Sequence, residues 1–157
     1  MIREHIKMPE KICIAGLGQM GASLALALKH SNPQSEIIGW AHKQTTLDNA
    51  LKEGIIDSGS TDLDQTIGIA DFTVLCLPVE PLIELVKNNA GKFKKGSIVT
   101  DISSVKSIIV DEVRPPLNEV GVHFIGSHPM AGNEKSGLSN SSAELYHKAI
   151  VFICSYC

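Results

Sequence analysis

The sequence contains no long apolar run, because no stretch approaches the roughly 18 residues that a membrane-spanning helix needs. The first ten residues mix charges, so we expect neither a transmembrane segment nor a signal peptide. The chain also lacks a strong excess of one charge. Its 14 Lys and Arg oppose 17 Asp and Glu, and the net charge is −3. This balance gives no electrostatic reason to bind nucleic acid or an anionic membrane surface.

Cysteines are few, with four in 157 residues. Cys13, Cys76 and Cys154 lie in apolar strand patterns, which is typical of reduced, buried thiols, and we therefore expect a cytoplasmic protein. The last four residues, Cys154 to Cys157, have C-x-x-C spacing, but no second cysteine pair accompanies them. We predict no metal site.

Aromatic residues make up only 4% of the chain, against 43% hydrophobic residues in total. The apolar content is therefore mostly aliphatic, as strands covered on both faces require. Short aliphatic strands alternate with helical patterns, which predicts an α/β fold with a doubly wound parallel sheet between two helical layers, three layers in all. The predicted strands are 11–15, 36–40, 55–56, 72–77, 97–101, 122–125 and 149–154. The predicted helices are 19–31, 45–53, 81–90 and one that is capped by Ser103-Ser104 and ended by Pro115-Pro116.

The most informative motif is a G-x-G-x-x-G sequence between the first predicted strand and the first predicted helix. Gly16 permits the tight turn, Gly18 lets the backbone approach a pyrophosphate, and Gly21 lets the helix pack closely on the sheet. The helix start offers free N–H groups and a positive dipole end. A glycine-rich turn without a ligand is the alternative. The strand before and the helix after favour a dinucleotide-binding Rossmann unit, with cofactor contacts from Gly16, Leu17, Gly18, Gln19, Met20 and Gly21.

The position that normally binds the adenosine ribose carries no acid here. An acidic residue about 20 positions after the glycines is usual in NAD-binding units. This chain has Ala41 there, followed by His42 and Lys43. A carboxylate would repel a 2′-phosphate, whereas these two potential cations attract one. We therefore predict NADP in preference to NAD, the alternative being a solvated Lys43 and mixed specificity.

Ligands of doubly wound sheets lie beyond the carboxyl ends of the strands. The loops after the first, second, fourth, fifth and sixth predicted strands should therefore form one cleft. The fourth and fifth predicted strands add Leu77, Pro78, Asp101 and Ser103 to the predicted cofactor contacts.

One of the six histidines, His128, has a setting that the other five lack. It ends a central strand, stands at the start of a long polar segment and precedes Pro129, which stiffens the backbone. A neutral imidazole there could accept a hydroxyl proton while hydride leaves the same substrate. The alternative is a surface or capping histidine.

Three segments together resemble the prephenate/arogenate dehydrogenases of tyrosine biosynthesis. They are the glycine loop, the stretch Asp101-Ile102-Ser103-Ser104-Val105-Lys106, and the stretch His128-Pro129-Met130-Ala131-Gly132-Asn133-Glu134-Lys135-Ser136-Gly137. The likeness covers residues 11 to 153, and its specific part is the last stretch. It implies NAD(P)-dependent oxidative decarboxylation of prephenate or arogenate. His128 would be the catalytic base, Ser104 would contact the ring hydroxyl, and Glu134 would help to order the site.

The chain departs from this family's pattern at a few positions. Ser103 and Ser127 stand where glycines are expected, and Ala41 replaces the ribose-binding acid. The resemblance also implies a downstream helical domain that makes a homodimer and supplies cations for the substrate's carboxylates. We therefore expect residues 1–10 to be a lead-in and 11–157 to be the dinucleotide-binding domain, with a small-molecule substrate and neither nucleic acid nor membrane as partner.

Two other interpretations remain open. The glycine loop also resembles that of 3-hydroxyacid dehydrogenases, which rely on a lysine in a later helical domain and would not need the His128 stretch. A non-catalytic NAD(P)-sensing module would need the cofactor loop but no base. The choice between prephenate and arogenate also stays open, because the discriminating contacts would lie past residue 157.

Overall fold

The computed structural model describes residues 8–132 and 137–154, which form a seven-stranded sheet in the order β3-β2-β1-β4-β5-β6-β7. The strands are β1 Lys11–Ala15, β2 Glu36–Trp40, β3 Ser58–Ser60, β4 Phe72–Leu75, β5 Ile98–Asp101, β6 His123–Pro129 and β7 Val151–Cys154. The helices are α1 Gln19–Ser31, α2 Gln44–Lys52, α3 Asp64–Ile67, α4 Val79–Asn89 and α5 Ser107–Glu119. The chain runs outward from β1 to β3 and then crosses back to β4, so the strand order reverses between β1 and β4. The predicted doubly wound α/β fold is confirmed.

Two apolar cores lie on opposite faces of the sheet, which confirms the three layers. Alternate side chains of β1 show the division. Ile12 and Ile14 belong to the core shared with α1 and α2, whereas Cys13 and Ala15 belong to the core shared with α4 and α5. Burial raises the pKa of the Cys13 thiol to about 12, so this thiol stays neutral.

The third strand is not where the pattern predicts it. Ile55 and Ile56 are buried, at 1% and 2% exposure, but they lie in the turn after α2. The amide of Ile55 donates to the Ala50 carbonyl at 2.8 Å, which closes the helix instead of starting a strand. The edge strand β3 follows and pairs with Ile38–Trp40. A buried apolar pair fits a turn as well as a strand, so the prediction of 55–56 is wrong.

The prediction that Pro115-Pro116 ends the last helix is also wrong. Both prolines lie inside α5, which continues to Glu119. Val113 and Leu117 are fully buried on the same face of the helix. Their burial stabilises the helix, although the two prolines have no backbone N–H to donate to the preceding turn. Ser103 and Ser104 do not cap this helix, because it begins at Ser107.

The carboxyl end of β6 differs from the predicted polar segment. The strand runs on to Pro129, and Gly126–Pro129 pairs with β7. This last pairing is antiparallel, whereas the other five are parallel. His128 therefore lies within a strand that is paired on its outer side. Two absences hold for residues 8–132 and 137–154: no helix is long and apolar enough to cross a membrane, and no cluster of His, Cys, Asp or Glu could hold a metal ion.

Asp71 ties β1 to the loop before β5, and this contact predicts a pH-dependent stability. The Lys94 ammonium, at 2.6 Å, and the Lys11 amide, at 3.0 Å, hold the pKa of Asp71 below its ordinary value of 3.8. Because the pKa is lower in the folded chain, the stabilisation is present above the ordinary pKa and is lost as the pH falls through the folded one. The side chain is 33% exposed, so we expect Asp71→Asn to lower the free energy of unfolding by about 1 kcal/mol near neutral pH.

Urea unfolding of Asp71→Asn and of the parent, near neutral pH and at about pH 3, tests this expectation. The difference between the two proteins should narrow in acid. Asp111→Asn, on the exposed face of α5, is the control and should show little difference at either pH. An equal loss of stability by Asp71→Asn at both pH values would show that the carboxylate charge is not responsible.

Candidate functional site

Two glycines of the motif are required by the packing of the protein itself. Gly16 has φ +108°, and a Cβ there would lie 2.4 Å from the Cys76 carbonyl oxygen. Its amide donates to the Trp40 carbonyl at 3.0 Å, so the turn contacts both neighbouring strands. A Cβ at Gly21 would lie 2.0 Å from the Gly16 carbonyl oxygen. Both positions bring α1 close to the sheet, as the motif predicts.

Gly18 has a different environment. Its φ is −75°, which any residue can adopt, and no heavy atom beyond Gly18 and its two chain neighbours lies within 4 Å of a Cβ built there. The protein therefore does not itself need glycine at this position. Gly18 is also the residue that precedes α1, and it offers no side chain to cap the first-turn N–H groups. These donors, with the positive end of a 13-residue helix, favour an anion in the open space above Gly18.

A cleft of about 480 Å³ opens beside this turn at the carboxyl edge of the sheet. It lies between the start of α1, the β4–α4 loop and the β5–α5 loop. The predicted contacts that line it are Gly18, Gln19, Met20, Gly21, Leu77, Pro78, Ser103 and Ser104, and its other walls are Cys76, Val79, Ile102 and Gly137. The structure thus brings together residues from three separate loops, as the fold rule predicts.

A second hollow of about 250 Å³ continues from the first, since both include Gly18 and Leu77. It contains the predicted positions Gly16, Leu17, Ala41, His42 and Lys43, together with Trp40 and Thr46. Ala41 is buried, while His42 and Lys43 are exposed at the mouth. The Trp40 and His42 rings meet edge to face at 4.5 Å. The sequence analysis missed Trp40 and Thr46, although both flank the end of β2, where ligand contacts are expected.

Asp101 lies behind the first cleft instead of lining it. Its side chain is fully buried, and its carboxylate accepts from the amides of Ser103 and Ser127 at 3.0 and 3.2 Å. The Lys106 ammonium forms an ion pair with the same carboxylate. These partners occupy the carboxylate, so the structure places Asp101 in support of the cleft wall.

His128 is half-buried near the end of β6, opposite Phe152 of β7. It is not among the residues that line the larger cleft, but its strand is adjacent to β5, whose following loop carries Ser104. Its Nδ1 atom is enclosed, and within residues 8–132 and 137–154 it has no hydrogen-bond partner. Ser104 is exposed and lines the cleft. Glu134 lies outside the described residues.

The chain after the His128 stretch returns to the start of α1. Residues 140–142 are anchored there by hydrogen bonds. Gln19 Nε2 donates to the Asn140 carbonyl at 3.2 Å, and the Ser142 amide donates to Ser23 Oγ at 3.0 Å. The Tyr146 hydroxyl donates to the Met20 carbonyl at 3.1 Å, and burial raises the pKa of this phenol. The two ends of the His128 stretch are thus held by β6 and by α1.

Comparison with known proteins identifies the family. The family model described as prephenate dehydrogenase, nucleotide-binding domain, matches residues 24–156. The prephenate dehydrogenase of Lactococcus lactis subsp. cremoris is 38% identical over 141 residues, and that of Bacillus subtilis is 31% identical over 148 residues. These two matches cover 89% and 94% of this chain. The crystal structure of A. aeolicus prephenate dehydrogenase with hydroxyphenyl propionate and NAD+ has a TM-score of 0.86 and 31% identity over 98% of this chain.

The chain spans only part of these relatives. It covers 39% of the L. lactis protein, 40% of the B. subtilis protein and 52% of the A. aeolicus chain. This chain belongs to the prephenate dehydrogenase family, of which it represents the nucleotide-binding domain.

Proposed function

We propose that this chain binds a nicotinamide dinucleotide across the Gly16–Gly21 turn and, in the complete protein, serves the oxidative decarboxylation of prephenate or arogenate. The observation that carries the proposal is Gly18, where open space, uncapped helix donors and the 480 Å³ cleft meet. A cradle that a side chain would fill fits a pyrophosphate, which has the charge that a helix start favours. The second hollow would then hold the adenosine end of the cofactor.

When bound, the nicotinamide ring supplies the hydride acceptor. The residues of this chain would hold the substrate and move its proton. As the ring C–H bond breaks, His128 accepts the proton of the hydroxyl on that carbon, and Nε2 is the nitrogen we assign to this role because Nδ1 is enclosed. The electron pair of the broken C–CO2 bond enters the ring, which becomes aromatic, and the proton returns to the ring oxygen.

Ser104 would hydrogen bond to the same hydroxyl, because it is an exposed side chain on the cleft wall next to β6. Glu134 keeps its proposed role in ordering the site through the resemblance alone. The substrate's carboxylates need cations that the described cleft does not supply. Arg114 lies on α5, and its Nη2 donates to the Cys154 carbonyl at 3.4 Å. We assign these cations, and the contacts of a homodimer, to a helical domain downstream.

Two measurements test the proposal. Fluorescence titration of residues 1–157 with NADPH and NADH tests cofactor binding. Steady-state NAD(P)H formation from prephenate and from arogenate tests turnover in the extended protein, meaning this chain joined to its downstream helical domain. Cofactor binding without turnover of either substrate by the extended protein would favour an NAD(P)-sensing module.

Cofactor choice gives a sharper prediction. Ala41 offers no carboxylate, and Lys43 lies exposed at the mouth of the second hollow, so NADPH should bind more tightly than NADH. A partly exposed contact between an ammonium and a phosphate contributes on the order of 1–2 kcal/mol. Lys43→Ala should therefore reduce the preference for NADPH by about fivefold to thirtyfold.

The matched control is Lys52→Ala, which removes an exposed lysine from the other end of α2. It should leave the ratio of the two affinities unchanged. Equal affinities of the parent protein for NADPH and NADH would refute the preference.

A further inference from the structure

The backbone pairing between β5 and β6 ends where the candidate site begins. Their ladder pairs Ile98 with His123 and ends at Thr100 with Ile125. From Gly126 onward, β6 pairs with β7 on its other side. The backbone ladder therefore stops one residue before Asp101, close in sequence to Ser104, which follows β5, and to His128, which lies near the end of β6.

Side chains take over where this ladder ends. The Ser127 amide donates to Asp101 Oδ1 at 3.2 Å, and the Ser127 hydroxyl donates to the Asp101 carbonyl at 2.6 Å. The Thr100 hydroxyl donates to the Ile125 carbonyl at 2.6 Å. Ser127 is one of the positions where the resemblance predicts glycine, so its hydroxyl adds a connection that a glycine could not make.

Lys106 completes the connection from the other side. Its ammonium pairs with Asp101 Oδ2 and donates to the Ser127 carbonyl at 2.7 Å, and its side chain is only 16% exposed. The Ser103 amide donates to the same Oδ2 at 3.0 Å. One buried carboxylate thus holds the residue before Ser104 and the residue before His128.

We propose that Asp101 and Lys106 are positioning residues that fix Ser104 and His128 relative to each other. The inference rests on the proposed function for the importance of those two side chains, but the positioning itself can be measured without turnover. A buried ion pair whose members also make further hydrogen bonds holds its neighbours rigidly. Removing one member is costly, because it leaves the other charge buried and unpaired. Full burial also means that Asp101 acts through its neighbours and not by touching a ligand.

Nuclear magnetic resonance of isotope-labelled residues 1–157 tests the proposal through amide hydrogen exchange and the ring signals of His128. In Lys106→Met, exchange at the Ser103 and Ser127 amides should accelerate by about tenfold to a hundredfold relative to core amides such as that of Leu75. The His128 ring signals should shift as well. Lys106→Arg keeps the charge and should restore much of both signatures. Lys29→Met is the matched control. Lys29 pairs with Asp57 at 2.5 Å next to β3, at the other edge of the sheet, so this substitution should change neither the local exchange nor the His128 signals.

Ser127→Ala is a second variant for the event that Lys106→Met does not fold. It removes only the Ser127 hydroxyl and leaves the ion pair between Lys106 and Asp101 intact. It should accelerate local exchange by about fivefold to tenfold and shift the same His128 signals. Exchange that rises equally at all core amides, or His128 signals that stay unchanged in the folded variants, would overturn the positioning role. Neither readout depends on turnover, so an inactive extended protein would count against the proposed function and not against this inference.

Discussion

In the extended protein, His128→Asn is expected to lower kcat by about a hundredfold to ten-thousandfold, which is the usual effect of removing a positioned general base. Asparagine is polar and smaller than histidine, so the half-buried position on β6 should tolerate it without loss of the fold. It cannot accept the hydroxyl proton, and the hydride step slows for that reason. The KM for the cofactor should change little, because His128 does not line the larger cleft.

Steady-state NAD(P)H formation with prephenate and with arogenate measures this loss. His123→Asn is the matched control, since His123 is an exposed histidine at the opposite end of β6 and should keep parental rates. Near-normal rates in His128→Asn would refute the base assignment.

Residues 1–157 alone should turn over either substrate negligibly, because they offer one wall of the substrate cleft. Robust turnover by these residues would show that no second wall is needed.

Gly18→Val is expected to weaken dinucleotide binding by on the order of a hundredfold or more, a loss of roughly 3 kcal/mol, while the chain stays folded. The valine side chain would stand in the open space that we assign to the pyrophosphate. No protein atom beyond Gly18 and its two chain neighbours lies within 4 Å of the added Cβ, so the cost falls on the ligand. Fluorescence titration with NADPH measures the affinity, and circular dichroism checks the fold.

Two other glycines give matched controls for this change. Gly91→Val introduces the same side chain at an exposed glycine with equally open surroundings, outside both clefts, and should leave affinity unchanged. Gly21→Ala should instead destabilise the fold, since its Cβ would meet the Gly16 carbonyl oxygen at 2.0 Å. Unchanged NADPH affinity in a folded Gly18→Val variant would show that this turn does not hold the cofactor.

Much of the fold could be predicted because short-range residue patterns mark where its strands and helices begin and end. The bounds of β1, α1 and β2 agree with the sequence prediction, since aliphatic strands and turn residues mark them locally. Ile55-Ile56 and Pro115-Pro116 misled the prediction because their conformation depends on burial against distant elements. The strand β7 was predicted at 149–154, but its antiparallel direction was not, because strand direction is set by a partner more than 20 residues away.

The sequence alone predicts a strand, a glycine turn and a helix suited to a dinucleotide, since the spacing of Gly16, Gly18 and Gly21 constrains backbone that is contiguous in the chain. The tertiary structure separates Gly18, whose surroundings leave room for a ligand, from Gly16 and Gly21, which packing requires, because the difference depends on which atoms of the folded chain occupy the neighbouring space. It also decided that Asp101 supports the site from behind. That placement depends on Ser127, which is 26 positions away in sequence and becomes a neighbour only when β5 and β6 lie side by side.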